Sequence, residues 1–331
     1  MMNPLAMDKP AVATAGSSTI PTAAEQYPLH TTRGRWRRKF SFLSVATAFL
    51  TLGVVAMLVV VLWNIVYGGI GGLTWEFLTE APREGMTAGG IFPAIFGTVF
   101  LVILMTIAVV PLGVATAIYL RYYTRSDAPL ARLVRVAVNN LAGVPSIVFG
   151  LFGLGFFIQF VGKGIDNLFY GGQVAYGQPA IIWASLTLAL LTLPVVIVAT
   201  EEAMRSIPDD YLEASYALGA TRWQTIRRVV LPNAITGILT GAILAVSRGA
   251  GEVAPIMFTG AAYFLPYLPS KLNDQFMELG YHVYVLSTQS PNVDQTLPLL
   301  YSTVLVLLLL TFALNALAVL IRIRIRSRQV R

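Results

Sequence analysis

Several uncharged, apolar stretches of this 331-residue chain are long enough to cross a lipid bilayer. A helix needs roughly 20 consecutive apolar residues to span the hydrocarbon core. Runs of about this length predict six membrane-spanning helices near residues 41–67, 91–120, 136–160, 178–200, 234–260 and 297–321. The composition agrees, because 56% of the residues are hydrophobic and only 12% are charged. We therefore predict an all-α membrane protein.

The positive charges indicate how these spans are oriented. Lys and Arg close to the ends of spans are retained in the cytoplasm. With both termini inside, all but four of the 23 basic residues are cytoplasmic; the exceptions are Arg83, Lys163 and Lys271 outside and Arg248 within a span. We therefore predict six spans with both termini cytoplasmic. The terminal basic clusters are interpreted as anchors on anionic membrane lipids, and nucleic-acid binding is not predicted from the net charge of +7.

Several kinds of chemistry are excluded by residue types that the chain lacks. There is no cysteine, and the histidines are His30 and His282. Disulfides and thiolate nucleophiles are therefore excluded, and neither a metal site nor a catalytic site is predicted. His282, on the outer loop between the fifth and sixth spans, is predicted to be a surface contact.

The chain divides into four parts by composition. Residues 1–39 are predicted to be a disordered basic cytoplasmic tail, because residues 1–32 carry almost no apolar periodicity. Residues 40–70 hold the first span, which is too long and starts too late for a cleaved signal peptide. Residues 71–322 form the core, with a cytoplasmic loop over 201–233, and residues 323–331 form a second basic cytoplasmic tail.

The loop between the fourth and fifth spans predicts a helix, a tight turn and a second helix. Ser206 followed by Asp209 resembles a capping box, so the first helix is predicted to begin there and to run to Leu218. Gly219 then supplies a left-handed stop.

The second helix is predicted from Thr221 and Gln224, which make another capping box, and Pro232 is predicted to end it before the fifth span. From these features alone, a pair of amphipathic helices resting on lipid headgroups remains an alternative.

This loop resembles the cytoplasmic loop of ABC-importer permeases, whose pattern is E-A-A, three residues, Gly, nine residues and I-x-L-P. The matching positions, with Ser and Val replacing Ala and Ile, are Glu213, Ala214, Ser215, Gly219, Val229, Leu231 and Pro232. The resemblance implies a MetI-like permease architecture and a coupling helix, with the small residues Ala214, Ala217 and Gly219, that docks on a dimeric ATP-binding subunit. ATP and Mg²⁺ would be bound there, because this chain has no G-x-x-x-x-G-K-[ST] loop.

Arg248 and Glu252 form a second constellation, in the predicted fifth span. A charge near the membrane centre costs on the order of 2.5–3.5 kcal/mol on insertion scales, and residues four apart on a helix can pair. One interpretation is mutual neutralisation that holds the bundle together. The other places Arg248 on a translocation pathway, where its guanidinium meets an anion and Glu252 positions it and weakens the binding.

The stretch GVPSIVFG at 143–150 also has two interpretations. Gly143, Pro145 and Gly150 can simply permit a kink and close helix packing. Alternatively, Asn139, Asn140 and Ser146 line the pathway and donate hydrogen bonds to an oxyanion.

Three stretches are similar to the PstA-type permeases of the phosphate importer, namely PLGVATAIYLRYY (111–123), GVPSIVFGLFGLGFF (143–157) and GEVAPIMFTG (251–260). This resemblance implies a bacterial inner-membrane protein that transports phosphate together with a second homologous permease, the ATPase and an extracytoplasmic phosphate-binding protein. An Arg site alone leaves sulfate or molybdate open as cargo, and a non-transporting scaffold or sensor is the remaining alternative.

Overall fold

The computed structural model describes residues 42–86, 88–125, 128–290 and 293–329, which are mostly helical. Among these residues, six segments are long and apolar enough to cross a membrane, which confirms the predicted number: Ser44–Gly72, Phe92–Tyr123, Ser146–Phe169, Ile181–Arg205, Arg222–Gly249 and Gln295–Ser327. An even number of candidate spans agrees with the prediction that both termini lie on the same side of the membrane. The tail predicted over 1–39 lies outside the described residues.

The described residues before Leu58 belong to one unit and those from Leu58 onward to another, and the first helix crosses this boundary; the core described below is that of the second unit. The α-helices in chain order are α1 Phe42–Gly69, α2 Trp75–Thr79, α3 Phe92–Ile118, α4 Pro129–Leu141, α5 Ser146–Phe152, α6 Lys163–Phe169, α7 Ile181–Arg205, α8 Asp209–Ala217, α9 Arg222–Thr225, α10 Leu231–Gly249, α11 Ala254–Thr259, α12 Leu279–Thr288 and α13 Val293–Gln329. Wider π-helical segments extend α3 (Tyr119–Tyr123), join α5 to α6 (Gly153–Gly162) and join α9 to α10 (Ile226–Val230).

The remaining regular structure lies between α1 and α3. Two short 3₁₀ turns occupy Ile70–Gly72 and Glu84–Met86. Strands β1 (Pro82–Arg83) and β2 (Ala88–Gly89) pair antiparallel, with Pro82 opposite Gly89.

The core is built around α7, against which α3 and α10 pack. Gly237 and Gly241 of α10 lie one turn apart and face Ala203 and Ala199 of α7, so that a Cβ added at Gly241 would be 2.8 Å from the Ala199 Cβ. Small residues at this spacing let two helix backbones approach closely, which drives helix association in a membrane. The largest buried cluster includes Leu101, Met105, Leu188, Leu191 and Ile256.

The predicted boundaries of the third span are wrong. The prediction of one helix over 136–160 fails because the chain breaks after Leu141 and the span begins at Ser146. Proline disfavours helical geometry in the residue before it, and Pro145 adopts the extended ψ of 139° that precedes α5. Helix α4 is therefore a separate amphipathic helix at the cytoplasmic side.

The fifth span also differs from the prediction of 234–260. It begins at Arg222 and ends at Gly249. The chain becomes helical again only in the short α11, which begins at Ala254 and has Pro255 in its first turn. The two glycines at 249 and 251 and the proline at 255 make this break. The last helix, in contrast, continues beyond the predicted limit of 321 to Gln329.

Candidate functional site

The cytoplasmic turn at Gly219 is formed by backbone geometry that only glycine adopts readily. Gly219 has a φ of 81°. Its N–H donates to Tyr216 O at 2.9 Å, and the N–H of Ala220 donates to Ser215 O at 3.2 Å. These two bonds constitute a Schellman motif, in which a left-handed residue closes the end of a helix. The prediction that Gly219 ends the first helix is confirmed.

One of the two predicted capping boxes is present in this segment. The Thr221 Oγ1 accepts from Gln224 N, and the Gln224 side chain accepts from Thr221 N at 2.8 Å. The box predicted at Ser206 is wrong, since its hydroxyl donates to Ala203 O at 2.8 Å, within the preceding helix. Helix α8 instead begins at Asp209, directly after Pro208.

Pro232 does not end the second helix, contrary to the prediction. The chain runs without interruption from Arg222 to Gly249, with a π-helical segment over Ile226–Val230 just before the proline. A wider helical turn accommodates proline, which has no backbone N–H to donate to the preceding turn of the helix. The Asn233 amide also donates to Val229 O at 2.7 Å.

The coupling segment, which we define as residues 209–232, presents a small, exposed tip. Glu213, Ala214, Ala217 and Gly219 are all exposed, whereas Leu231 is half-buried. Leu218, which was predicted only as the last residue of the first helix, is 90% exposed and is the most prominent apolar side chain of the tip. A contact of 2.9 Å between the hydroxyls of Ser215 and Thr225 ties the two helices of the segment together.

Aromatic side chains surround this tip. Tyr211, Tyr216 and Trp223 are each exposed by 42% or more. Exposed apolar and aromatic side chains grouped beside polar ones mark a protein interaction site. The segment therefore has the character of a docking surface.

Arg248 and Glu252 pair across the end of a helix and not along it. The Arg248 Nε lies 3.4 Å from the Glu252 Oε1, but α10 ends at Gly249, so Glu252 lies in the connection to α11. The side chains are 39% and 21% exposed. Charge-assisted hydrogen bonds are typically 2.7–2.9 Å long, so this pair is loose. A loose contact through Nε keeps the two terminal amino groups outside this ion pair.

The three polar candidates near the third span lie apart from that pair. Asn139 and Asn140 are exposed on α4, and Ser146 is the half-buried first residue of α5. Asn139 lines a polar cavity of about 270 Å³ between α4 and α7. Arg248, Glu252, Asn140 and Ser146 do not line this cavity, so the predicted site residues fall into separate groups.

Two polar contacts between α10 and α13 were not foreseen from the sequence. The Ser247 hydroxyl donates to the side-chain Oδ1 of Asn315, and the Arg322 guanidinium donates to Thr240 Oγ1 at 3.1 Å. Arg322 therefore does more than anchor the chain to lipid. The signal was available in the polar residues at 240, 247 and 315 inside otherwise apolar runs.

Two titratable groups are buried on the outer side of the bundle. The Glu278 carboxylate accepts from the backbone of Gly280 at 2.8 Å and of Tyr281 at 2.7 Å, and so caps α12. Burial raises its pKa to about 7, and these hydrogen bonds offset only part of that rise.

His282 lies one turn further along α12. It is 4% exposed, so the predicted surface contact is wrong. Burial lowers its pKa to about 4, and its Nδ1 has no hydrogen-bond partner in the described part of the chain. The apolar packing of α12 explains why a polar residue of the outer loop is buried. Within the described residues, no three His, Asp or Glu side chains group together as metal ligands.

Comparison with known proteins places these features in context. Residues 109–327 match the family described as "Binding-protein-dependent transport system inner membrane component". The "Phosphate transport system permease protein PstA 1" of Mycobacterium tuberculosis (strain CDC 1551 / Oshkosh) is 36% identical over 227 residues, covering 67% of this chain and 69% of that protein. The "Phosphate transport system permease protein PstA" of Yersinia pestis is 35% identical over 227 residues, covering 68% and 71%.

Two further similarities are to proteins that are not named as phosphate permeases. The "Probable ABC transporter permease protein YqgI" of Bacillus subtilis (strain 168) is 34% identical over 211 residues, covering 63% of this chain and 67% of that protein. Among solved structures, a chain of the bacterial alginate ABC transporter in complex with its alginate-bound periplasmic protein superposes with a TM-score of 0.60. That chain is 15% identical, and the match covers 86% of this chain and 96% of that one. This last likeness shows the fold.

Proposed function

Because the chain belongs to the family of binding-protein-dependent transport system inner membrane components, we propose that it is a permease subunit through which inorganic phosphate crosses the bacterial inner membrane. The observation that carries this proposal is the exposed coupling segment, whose family-like spacing around Gly219 forms a capped, rigid turn. The identity to two phosphate permeases supports phosphate as the cargo.

The energy for transport would come from a separate, dimeric ATP-binding subunit that docks on the coupling segment. ATP and Mg²⁺ belong to that subunit, and the present chain acts without a catalytic site of its own. Leu218 supports this assignment, because a leucine exposed by 90% is an apolar anchor suited to a pocket of a partner. Ala214 and Ala217 allow the two backbones to approach closely, and Glu213 supplies a polar rim.

The cargo would meet Arg248 inside the membrane. The loose contact with Glu252 leaves donors of the guanidinium to an anion, while the neighbouring carboxylate prevents tight binding. A transport pathway needs sites that release as readily as they bind. Asn139, Asn140 and Ser146 are proposed as further polar groups along the pathway, at other depths than Arg248.

The complete importer would contain a second homologous permease and an extracytoplasmic phosphate-binding protein. The pathway would lie between the two permeases, as the partly exposed Arg248 side chain suggests. Sulfate or molybdate is the alternative cargo, since both are tetrahedral oxyanions that a guanidinium also binds.

The test is uptake of labelled phosphate into vesicles that contain the full complex and ATP. Excess unlabelled phosphate is expected to suppress the uptake, and excess sulfate or molybdate is not. Arg248→Gln should reduce uptake by at least about tenfold, the equivalent of one charge-assisted hydrogen bond. Arg324→Gln, at an exposed position near the end of α13, is the matched control and should transport normally.

Competition by sulfate or molybdate would move the cargo to another oxyanion. An assembled complex that hydrolyses ATP without any uptake would refute the transport function and favour a scaffold.

A further inference from the structure

A polar cavity of about 270 Å³ opens where the cytoplasmic ends of α4 and α7 meet. Arg135 and Asn139 line it from one face of α4, four residues apart, and Glu201, Glu202 and Arg205 line it from α7. It lies beside the start of the coupling segment, because α7 ends at Arg205. Five polar side chains from two helices thus converge on one space.

This cavity adjoins a second, more open one of about 330 Å³. The two share Asn139 and Glu202 in their linings, and the second one extends to Pro194 of α7 and Leu244 of α10. Its lining is mostly apolar, so the polar groups of the two cavities are concentrated in the one that Arg135 lines, near the cytoplasmic end of α7. We call the 270 Å³ cavity the Arg135 cavity. An ion that moved along these two cavities toward the cytoplasm would meet the Arg135 cavity last.

The central pair of the Arg135 cavity resembles the Arg248 pair in its geometry. The Arg135 Nη2 lies 3.7 Å from the Glu201 Oε1, and the side chains are 35% and 16% exposed. The same amino group donates to Leu120 O at 3.4 Å. Both contacts are longer than the 2.7–2.9 Å of a strong charge-assisted bond. Arg135 is therefore held in place without being saturated.

Glu201 adds a second sign that the pair is incomplete. Its Oε1 is buried and accepts no hydrogen bond in the described part of the chain. A buried carboxylate oxygen without a hydrogen bond is costly, and its nearest cation is Arg135. An anion that engages Arg135 must compete with this carboxylate, which lowers the affinity and favours release.

We infer that the Arg135 cavity is a second oxyanion site, at which the transported ion is held before it is released into the cytoplasm. The guanidinium of Arg135 and the amide of Asn139 provide donors that suit a tetrahedral oxyanion such as inorganic phosphate. Glu201 and Glu202 balance the charges of Arg135 and Arg205, which also line the cavity, and keep the site weak. This inference rests on the proposed transport function and adds a site to it.

The test compares variants of the reconstituted complex that differ only at this cavity. Arg135→Gln is expected to lower phosphate uptake per ATP hydrolysed by at least about tenfold, through loss of a charged donor. Arg132→Gln is the matched control, because Arg132 is exposed on the same helix one turn away and does not line the cavity. It should keep uptake within about twofold of the unaltered complex, since exposed charges contribute little.

The double variant Arg135→Gln/Glu201→Gln separates binding from folding. It removes the buried charge that Arg135→Gln alone leaves unpaired, so assembly and basal ATP hydrolysis should return while uptake stays low. Recovery of uptake in the double variant would overturn the inference, because it would show that the pair only neutralises itself. Equal uptake in Arg135→Gln and Arg132→Gln would overturn it as well.

A phosphate group on a lipid is the other source of this chemistry, and vesicle composition distinguishes it. The Arg135→Gln defect should be the same in phosphatidylcholine vesicles with and without phosphatidylglycerol. A defect that appears only with the anionic lipid would reassign the cavity to a headgroup. Phosphate uptake by the unaltered complex tests the proposed function separately, so failure of the inference leaves that function standing.

Discussion

Substitution of Gly219 tests whether the coupling segment works through its backbone shape. A Cβ added at this position would meet nothing within 4 Å, so no side chain is excluded by a clash. The φ of 81°, however, costs a residue with a side chain roughly 1–2 kcal/mol. Asparagine tolerates this conformation far better than valine does. Valine and asparagine are also similar in size. Gly219→Val and Gly219→Asn therefore differ mainly in how well the backbone at residue 219 can adopt the left-handed conformation of the turn.

The expected effect follows from this strain. A penalty of 1–2 kcal/mol lowers the ratio of ordered to disordered turn by roughly 5–30-fold. An ATPase that binds only the ordered turn loses apparent affinity by up to the same factor. Gly219→Val should weaken binding accordingly, and Gly219→Asn should bind nearly as the unaltered chain does. Neither variant should change the amount of protein inserted in the membrane, because the turn lies outside the spans.

The assay is a binding titration of the purified ATP-binding subunit against the permeases in lipid nanodiscs, followed by measurement of phosphate moved per ATP hydrolysed. The comparison between valine and asparagine carries the result. If both variants lose affinity equally, the side chain obstructs the partner and the backbone argument is wrong. If both variants bind normally, binding of the ATPase does not depend on the conformation of this turn.

Two further predictions concern the outer half of the bundle. The raised pKa of Glu278 makes the free energy of unfolding fall as pH rises from 4.5 to about 7, whereas the lowered pKa of His282 makes it rise from about 4 to 6.5. The two slopes oppose each other, so thermal unfolding in detergent should show Glu278→Gln becoming more stable from pH 4.5 to 6.5; a slope like that of the unaltered chain would contradict the assignment. Gly97→Ala should lower stability by about 1–3 kcal/mol, since its Cβ would collide with the carbonyl oxygen of Met277. Gly155→Ala, whose Cβ meets nothing within 4 Å, is its control, and equal melting temperatures would show that the Gly97 contact relaxes freely.

The features predicted correctly are those that depend on local sequence. The number of spans follows from the length of apolar runs, and the turn at Gly219 and the Thr221 capping box follow from residue types a few positions apart. The Ser206 box failed because Ser206 closes the end of α7, where its hydroxyl donates to Ala203 O, and α8 begins only after Pro208. No local pattern distinguishes these two outcomes.

The missed features depend on how distant segments meet. Residues 253–260 are again mostly apolar, so hydropathy alone did not reveal the break after Gly249. Arg135 counted only among the basic residues that predict which side of the membrane is cytoplasmic, because its partner Glu201 is far away in sequence. The one available hint was the spacing of Arg135 and Asn139 on an amphipathic stretch, which places both on the same face of a helix.

The uninterrupted helix through Pro232 has a mechanical consequence. Arg222–Gly249 is a single helix of 28 residues, with the Gly219 turn next to one end and Arg248 at the other. At 1.5 Å per residue the helix is roughly 42 Å long, so a tilt of about 5° about one end displaces the other by roughly 4 Å. That distance exceeds the 3.4 Å that joins Arg248 to Glu252, which lies beyond the end of the helix. A small rocking motion imposed in the cytoplasm is thus geometrically sufficient to pull this ion pair apart.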